Sequence, residues 1–212
     1  MILRWHGHAC FEISNGKGLT IITDPHDGRS IGIRPPKAKA DLVLVSHSHF
    51  DHNSVKSVAK GTTKTISEPG THKISDVEIT GISAFHDNQK GERRGEICIF
   101  KFIVNGITFC HLGDLGHIPE QAQLKELNEI DILFIPIGNV FTIGSSDAWK
   151  TIRLIKPKVA IPMHYRVGGL SLSIQPLEPF LANADKVERV GNEINFELED
   201  LPENLEVWVF SL

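Results

Sequence analysis

The sequence predicts an α/β (α+β) fold, a layered sandwich of sheets covered by helices, and three observations carry that expectation. Short apolar or alternating runs of strand type crowd the first half of the chain. Apolar residues at helical spacing appear only later, separated and followed by further strand-like runs. Leu42–Val45 is an unbroken apolar run of the kind shown by a strand covered on both faces.

Taken in order, Leu3–Trp5, Cys10–Ser14 and Leu19–Thr23 read as strands, with Asn15-Gly16-Lys17-Gly18 as the turn joining the last two. Leu42–Val45 and Val77–Phe85 are further strands. Ile97–Val104 and Ile107–His111 flank Asn105-Gly106, the strongest hairpin signal in the chain. From Pro119 to Ile130, Leu124, Leu127 and Ile130 recur at helical spacing, with Pro119 suited to a first turn. Ile132–Ile137 returns to strand. Asp147–Ile155 reads as a helix capped by Ser145, Ser146 or Asp147, with Ala148, Ile152 and Ile155 on one face. Val159–Met163 is a strand and Leu177–Ala184 a short helix. Ile194–Leu198 and Glu206–Phe210 close the chain as strands.

The composition bounds the function classes. With 212 residues, 41% hydrophobic and 23% charged, a packed core in one domain over 1–212 is expected. A net charge of −4 argues against a surface that attracts nucleic acid or anionic membrane as a whole. No apolar run approaches the roughly 18 residues of a membrane span. The opening MILRWHGHACFEIS lacks the layout of a signal peptide. Cys10, Cys98 and Cys110 are odd in number and scattered, which fits reduced, buried thiols and a cytoplasmic setting. The unusual count is histidine, 11 against a single tyrosine.

The histidines concentrate where chemistry needs them. His47-Ser48-His49-Phe50-Asp51-His52 directly follows the strand Leu42–Val45. In an extended or turning segment His47 and His49 point the same way, so both can bind one cation. Asp51 and His52 lie just beyond, where a second cation fits. Imidazole with carboxylate favours Zn, Mn or Fe over Ca or Mg. A polar turn that happens to be rich in histidine is the bland alternative, and four ligand-type residues in six positions make it a poor one.

HSHFDH matches the H-x-H-x-D-H signature of the metallo-β-lactamase superfamily, and the chain resembles that family from Leu3 to about Tyr165. Ile22-Thr23-Asp24-Pro25 resembles the strand-ending Asp that precedes the signature, Leu112-Gly113-Asp114 its Gly-Asp motif, and Pro162-Met163-His164-Tyr165 the motif of its last histidine. His86 stands where the third histidine of the first metal belongs. Trp5-His6-Gly7-His8 and the P-M-H-Y ending are most similar to the small branch that contains L-ascorbate-6-phosphate lactonase and related hydrolases. The resemblance implies a four-layer αββα sandwich and two divalent metal ions, zinc preferred, with Mn or Fe as alternatives. It implies His47, His49 and His86 on the first metal, Asp51, His52 and His164 on the second, and Asp114 bridging, with Asp51 and Asp114 as catalytic carboxylates.

Several positions keep two readings. His111 competes with His86 for the first metal, and His86 is preferred because a loop after a strand turns inward freely. Asp24 is either a turn residue or the acceptor that fixes a ligand histidine's tautomer. His8 and, less so, His6 line the pocket or merely fill a strand and its turn. His111 or His8 is the candidate proton donor to a leaving group. His26, His72 and His117 read as ordinary surface or loop histidines, with His26, after Asp24-Pro25, also placed to reach the mouth of the site. Lys90, Arg93 and Arg94 lie in a flexible loop after His86. Arg94 and Arg166 are candidates to grip an anionic group of the substrate. The expected activity is hydrolysis of a small anionic ester, lactone or phosphodiester by an activated water. A nuclease or phosphodiesterase acting on RNA or DNA is the alternative, disfavoured by the acidic balance and the absence of a basic arm. A di-iron redox protein and a non-catalytic metal-binding module are weaker readings still. The sequence assigns neither the substrate nor the oligomeric state.

Overall fold

The computed structural model describes residues 1–212. Its first sheet contains β1 (Ile2–Trp5), β2 (Phe11–Ser14), β3 (Thr20–Thr23), β4 (Ala40–Leu44), β5 (Ala59–Ile66) and, from far along the chain, β13 (Glu193–Asn195). Their order is β13-β1-β2-β3-β4-β5. The second sheet contains β6 (Gly70–Ile74), β7 (Val77–Phe85), β8 (Glu96–Val104), β9 (Ile107–His111), β10 (Ile132–Pro136), β11 (Val159–Met163), β12 (Val187–Arg189) and β14 (Glu206–Val209). Here the order is β12-β14-β11-β10-β9-β8-β7-β6.

The inner faces of both sheets share one apolar core, in which Leu3, Phe11 and Leu44 of the first meet Phe100, Phe109 and Phe134 of the second. Phe11 and Phe134 bring the sheets together, with ring centroids 4.3 Å apart. On the outer side of the first sheet, the single turn α1 (Val55–Val58) covers Ile22, Val43 and Val45 through Val58. The outer layer of the second sheet is formed by α2 (Gln121–Glu126), α3 (Ser145–Ile155) and α4 (Glu178–Leu181). Trp149 of α3 donates its indole N–H to the Phe180 carbonyl of α4 at 2.8 Å. The four layers are therefore present, with a thin helical layer over the first sheet.

Most sequence assignments hold to within a residue or two, and the exceptions have physical reasons. The sequence does not announce β5, β6 and β12 as strands. β5 reads AKGTTKTI and lies mostly exposed, and β12 is three exposed edge residues, so neither shows a buried alternation. The helix expected over Pro119–Ile130 is only six residues long, because Leu127 and Ile130 enter the core from the chain beyond it. Its start is fixed instead by Glu120 and Gln123, which satisfy each other's backbone groups. No side chain caps α3, whose N-cap is Gly144 rather than a Ser or Asp. The last expected strand run, Ile194–Leu198, stops at Asn195, and Leu198–Asp200 forms a 3₁₀ turn. Asn105 and Gly106 both have positive φ, as a two-residue type I′ hairpin requires.

Strand direction places the site. β3 and β4 run parallel, as do β9, β10 and β11, and β7 shares the direction of β9 because β8 is antiparallel to both. Their carboxyl ends emerge at one edge, carrying Asp24, His47, His86, Asp114 and His164. Open sheets with parallel strands bind ligands at that edge.

Candidate metal centre

Two side-chain groups converge at this edge. In the first, His47 Nε2 lies 3.0 Å from His49 Nδ1, which lies 3.2 Å from His86 Nε2. In the second, His52 Nε2 lies 3.5 Å from Asp51 Oδ2, and His8 Nε2 lies 3.0 Å from the same oxygen. Asp114 stands between the groups. Its Oδ2 is 3.4 Å from His86 Nε2 and 3.1 Å from His164 Nε2, and its Oδ1 is 3.3 Å from His52 Nε2. The ligand-type atoms of His47, His49 and His86 lie within 4.8 Å of one another, as do those of His8, Asp51, His52 and His164.

Such spacings fit a cation better than a hydrogen-bond network. Nitrogen ligands about 2.0–2.1 Å from one tetrahedral ion stand about 3.3 Å apart, by geometry. His52 Nε2, His164 Nε2 and Asp114 Oδ1 are buried without any hydrogen-bond partner. Unpaired buried polar atoms cost free energy unless something else satisfies them, and a divalent cation does so for this donor set.

Asp24 organises the rings from behind. Its fully buried carboxylate accepts from the Ser46 amide and the Ser46 hydroxyl, both at 2.6 Å, and from His52 Nδ1 at 3.0 Å. The Ser46 hydroxyl proton is thereby committed, so Ser46 Oγ accepts from His47 Nδ1 at 2.9 Å. One carboxylate thus sets two tautomers, and the Nε2 lone pairs of His47 and His52 face the cluster. The sequence does not single out Ser46, whose only signal is its place between the strand and His47. Gly113, beside it, has no room for a Cβ, which would stand 2.5 Å from Ser46 Cβ.

The charges follow the packing. Burial pushes His47 and His8 down to about 3, and lowers His86 as well. His52 moves the other way: burial opposes its charge, but Asp114, Asp24 and Asp51 outweigh it and raise the group well above its ordinary value. Asp114 is held well below the carboxylate range by His164 and His52, against the effect of burial. His49 is the exposed member, so the cluster opens to solvent on that side.

Other expectations meet the geometry unevenly. His111 stands apart from the cluster: its Nδ1 accepts from the Gly113 amide, and its Nε2 donates to the Ala9 carbonyl at 3.0 Å. With His8 directed at Asp51, neither histidine has a free proton for a leaving group. His6 pairs with Glu12 at 2.8 Å, away from the cluster. His26 is fully buried rather than a loop histidine at the surface, and its Nε2 donates to the His6 carbonyl at 3.0 Å. His72 is exposed, and His117 Nε2 accepts from the Phe85 amide at 3.2 Å, just before His86. The loop carrying Lys90, Arg93 and Arg94 is tied rather than free. Asp87 accepts four of its amides, those of Gln89, Gly91, Arg93 and Arg94, at 2.8–2.9 Å. Burial works against this carboxylate's charge, yet those donors bring Asp87 down to about 2. Arg94 donates to the Val140 carbonyl at 3.2 Å and lies 5.3 Å above the Phe141 ring. Arg166 is exposed and lines a cleft with Val140, Leu170 and Ile174. The three cysteines are buried free thiols, as expected. No helix is long and apolar enough to cross a membrane.

Comparison with known proteins agrees with this architecture. Residues 2–164 match the model of the β-lactamase superfamily domain. A UPF0173 metal-dependent hydrolase of Carboxydothermus hydrogenoformans is 32% identical, over 78% of this chain and 84% of that protein. One from Pyrobaculum islandicum is 30% identical, over 90% of this chain and 94% of its own. A solved structure from Thermotoga maritima, described as a Zn-dependent hydrolase of the metallo-β-lactamase superfamily, superposes with a TM-score of 0.81 at 36% identity, covering 99% of each chain. In fold, matched domain and near-full-length relatives, the chain belongs to the metallo-β-lactamase superfamily, among its metal-dependent hydrolases.

Proposed function

We propose that the chain hydrolyses a small anionic ester, lactone or phosphodiester at a centre that holds two divalent cations. His47, His49 and His86 would hold the first, and Asp51, His52 and His164 the second, with Asp114 placed to serve both. The observation that carries this reading is Asp114, one buried carboxylate within 3.1–3.4 Å of ring nitrogens from both groups. Five imidazole donors with two carboxylates suit zinc, with manganese or iron as alternatives. When bound, such ions would lower the pKa of a water toward neutrality and polarise the scissile carbonyl or phosphoryl oxygen.

The rest is work for the chain's own residues. Asp114 accepts an O–H of the attacking water and so aims its lone pair at the substrate. Asp24, through Ser46 and His52, keeps ring lone pairs directed inward. The open side at His49 admits the substrate. Arg94, braced on Val140 and Phe141, and the exposed Arg166 supply cationic hydrogen-bond donors for an anionic group.

The test is a metal analysis joined to a turnover screen over lactones, phosphodiesters and thioesters, with His49→Ala as control. The reading expects bound metal, turnover of at least one class, and loss of both in the variant. A variant that keeps metal and activity overturns it.

A further inference from the structure

His8 lies outside the family signature, yet it reaches into the centre from the opposite end of the chain. Its backbone is left-handed, φ +56°, a conformation uncommon outside glycine. Strained backbone at a buried position persists only where its surroundings hold it, and here they do. The His8 carbonyl accepts from the Trp5 indole at 3.1 Å and from the His164 amide at 3.2 Å. The turn around it is closed by the His6 amide on the Cys10 carbonyl at 2.9 Å and the Cys10 amide on the Gly7 carbonyl at 3.0 Å. The ring is fully buried, 4.1 Å from the His164 ring and 4.9 Å from the His52 ring, centroid to centroid. Its Nε2 faces Asp51 Oδ2 at 3.0 Å, and its Nδ1 has no hydrogen-bond partner. With Nδ1 unpartnered, the proton that gives this buried ring a hydrogen bond is the one on Nε2.

We infer that His8 is a positioning residue for Asp51: it donates its Nε2–H to that carboxylate and so fixes how Asp51 meets the second cation. This rests on the two-cation reading above. A turn held by the indole and by the amide of His164 places the donor independently of the HSHFDH segment. Asp51 is thus clamped from outside its own loop. The effect belongs to one cation of the two, because the His8 ring meets Asp51, His52 and His164, all of the second group.

The test uses the whole chain, stripped of metal and titrated with Zn²⁺ against a competing chelator. Asn accepts left-handed backbone but is too short to reach Asp51, so His8→Asn keeps the turn and removes the donor. Gln is longer and retains an N–H. The wild-type chain should bind two equivalents. In His8→Asn one equivalent should weaken by about 10–100-fold, the range for losing a hydrogen-bond partner of a metal ligand, while the other stays unchanged. His8→Gln should recover part of the loss. With Co²⁺ in place of Zn²⁺, the visible bands of saturated His8→Asn should match the wild type, since a positioning residue is not itself a ligand. Unchanged affinity for both equivalents in His8→Asn, equal weakening of both, or altered Co²⁺ bands would each overturn the role of His8 alone. A wild-type chain that binds no metal would overturn the two-cation reading and this inference with it.

Discussion

Asp24→Asn is the sharpest perturbation of the site, because it changes charge and almost nothing else. The residue sits at φ +38°, where Asn is as acceptable as Asp, so the backbone is not strained by the exchange. The carboxylate accepts three hydrogen bonds, one on Oδ1 from the Ser46 amide and two on Oδ2 from Ser46 Oγ and His52 Nδ1. An amide cannot replace it in either orientation. With NH₂ at the Oδ1 position it meets the Ser46 N–H; with NH₂ at the Oδ2 position it meets the His52 N–H. Leaving a buried donor unpaired costs about 1–3 kcal/mol, and breaking a buried charged network reaches about 3–5 kcal/mol. A loss of about 3 kcal/mol lowers Tm by about 6–12 °C in a chain of this size. The His52 ring also loses the partner that fixes its tautomer, so affinity for one metal should fall about 10–100-fold. Thermal melts of the metal-free variant and Zn²⁺ titration read the two effects separately. A variant that melts within about 2 °C of the wild type and binds metal unchanged would refute the role assigned to Asp24.

Three further outcomes are expected. The metal-free chain should lose stability as pH falls from 6.5 toward 4, because His8 and His47, lowered to about 3, and His26, lowered to about 4, take up protons more readily unfolded than folded. His52 is raised, so its contribution is lost as pH rises; it opposes three groups alone, and urea melts at pH 7 and pH 5 that show equal or greater stability at pH 5 would contradict this. Gly116→Ala should cost the metal equivalent held by His86, since a Cβ there would stand 2.3 Å from Asp87 N and His86 C, both backbone atoms; a variant with full metal content would show that the loop yields. Once an anionic substrate is found, Arg94→Met and Arg166→Met should raise KM by roughly tenfold, in line with losing a charge-assisted bond, with kcat held; a fall in kcat at constant KM would remove both residues from substrate binding.

Much of this was legible in the sequence because the ligand-type residues follow strands that declare themselves. DLVLV is a strand by composition, and the histidines that follow it can only emerge at its end. The same holds for Asp114 after ITFCHLG and His164 after VAIPM. The choice of His86 over His111 was not settled by spacing, since both lie near strand ends; it depends on which way a ring turns, and the Gly113 amide turns His111 away. Ser46 and Asp87 stayed hidden because their work is with backbone amides and neighbouring hydroxyls, which leave no periodicity. The edge strands β5 and β12 stayed hidden because exposed strands carry no apolar alternation. His26 lies in a loop, as expected, but its burial stayed hidden because a single histidine beside a proline looks the same whether its loop is folded over or open.

The claim on which the rest depends is that two cations share Asp114. Anomalous diffraction from zinc-soaked crystals measures it directly. Two peaks are expected, one within about 2.0–2.1 Å of ring nitrogens of His47, His49 and His86, the other against Asp51, His52 and His164, with Asp114 reaching both. A single peak, or peaks that leave Asp114 without a metal contact, would contradict it.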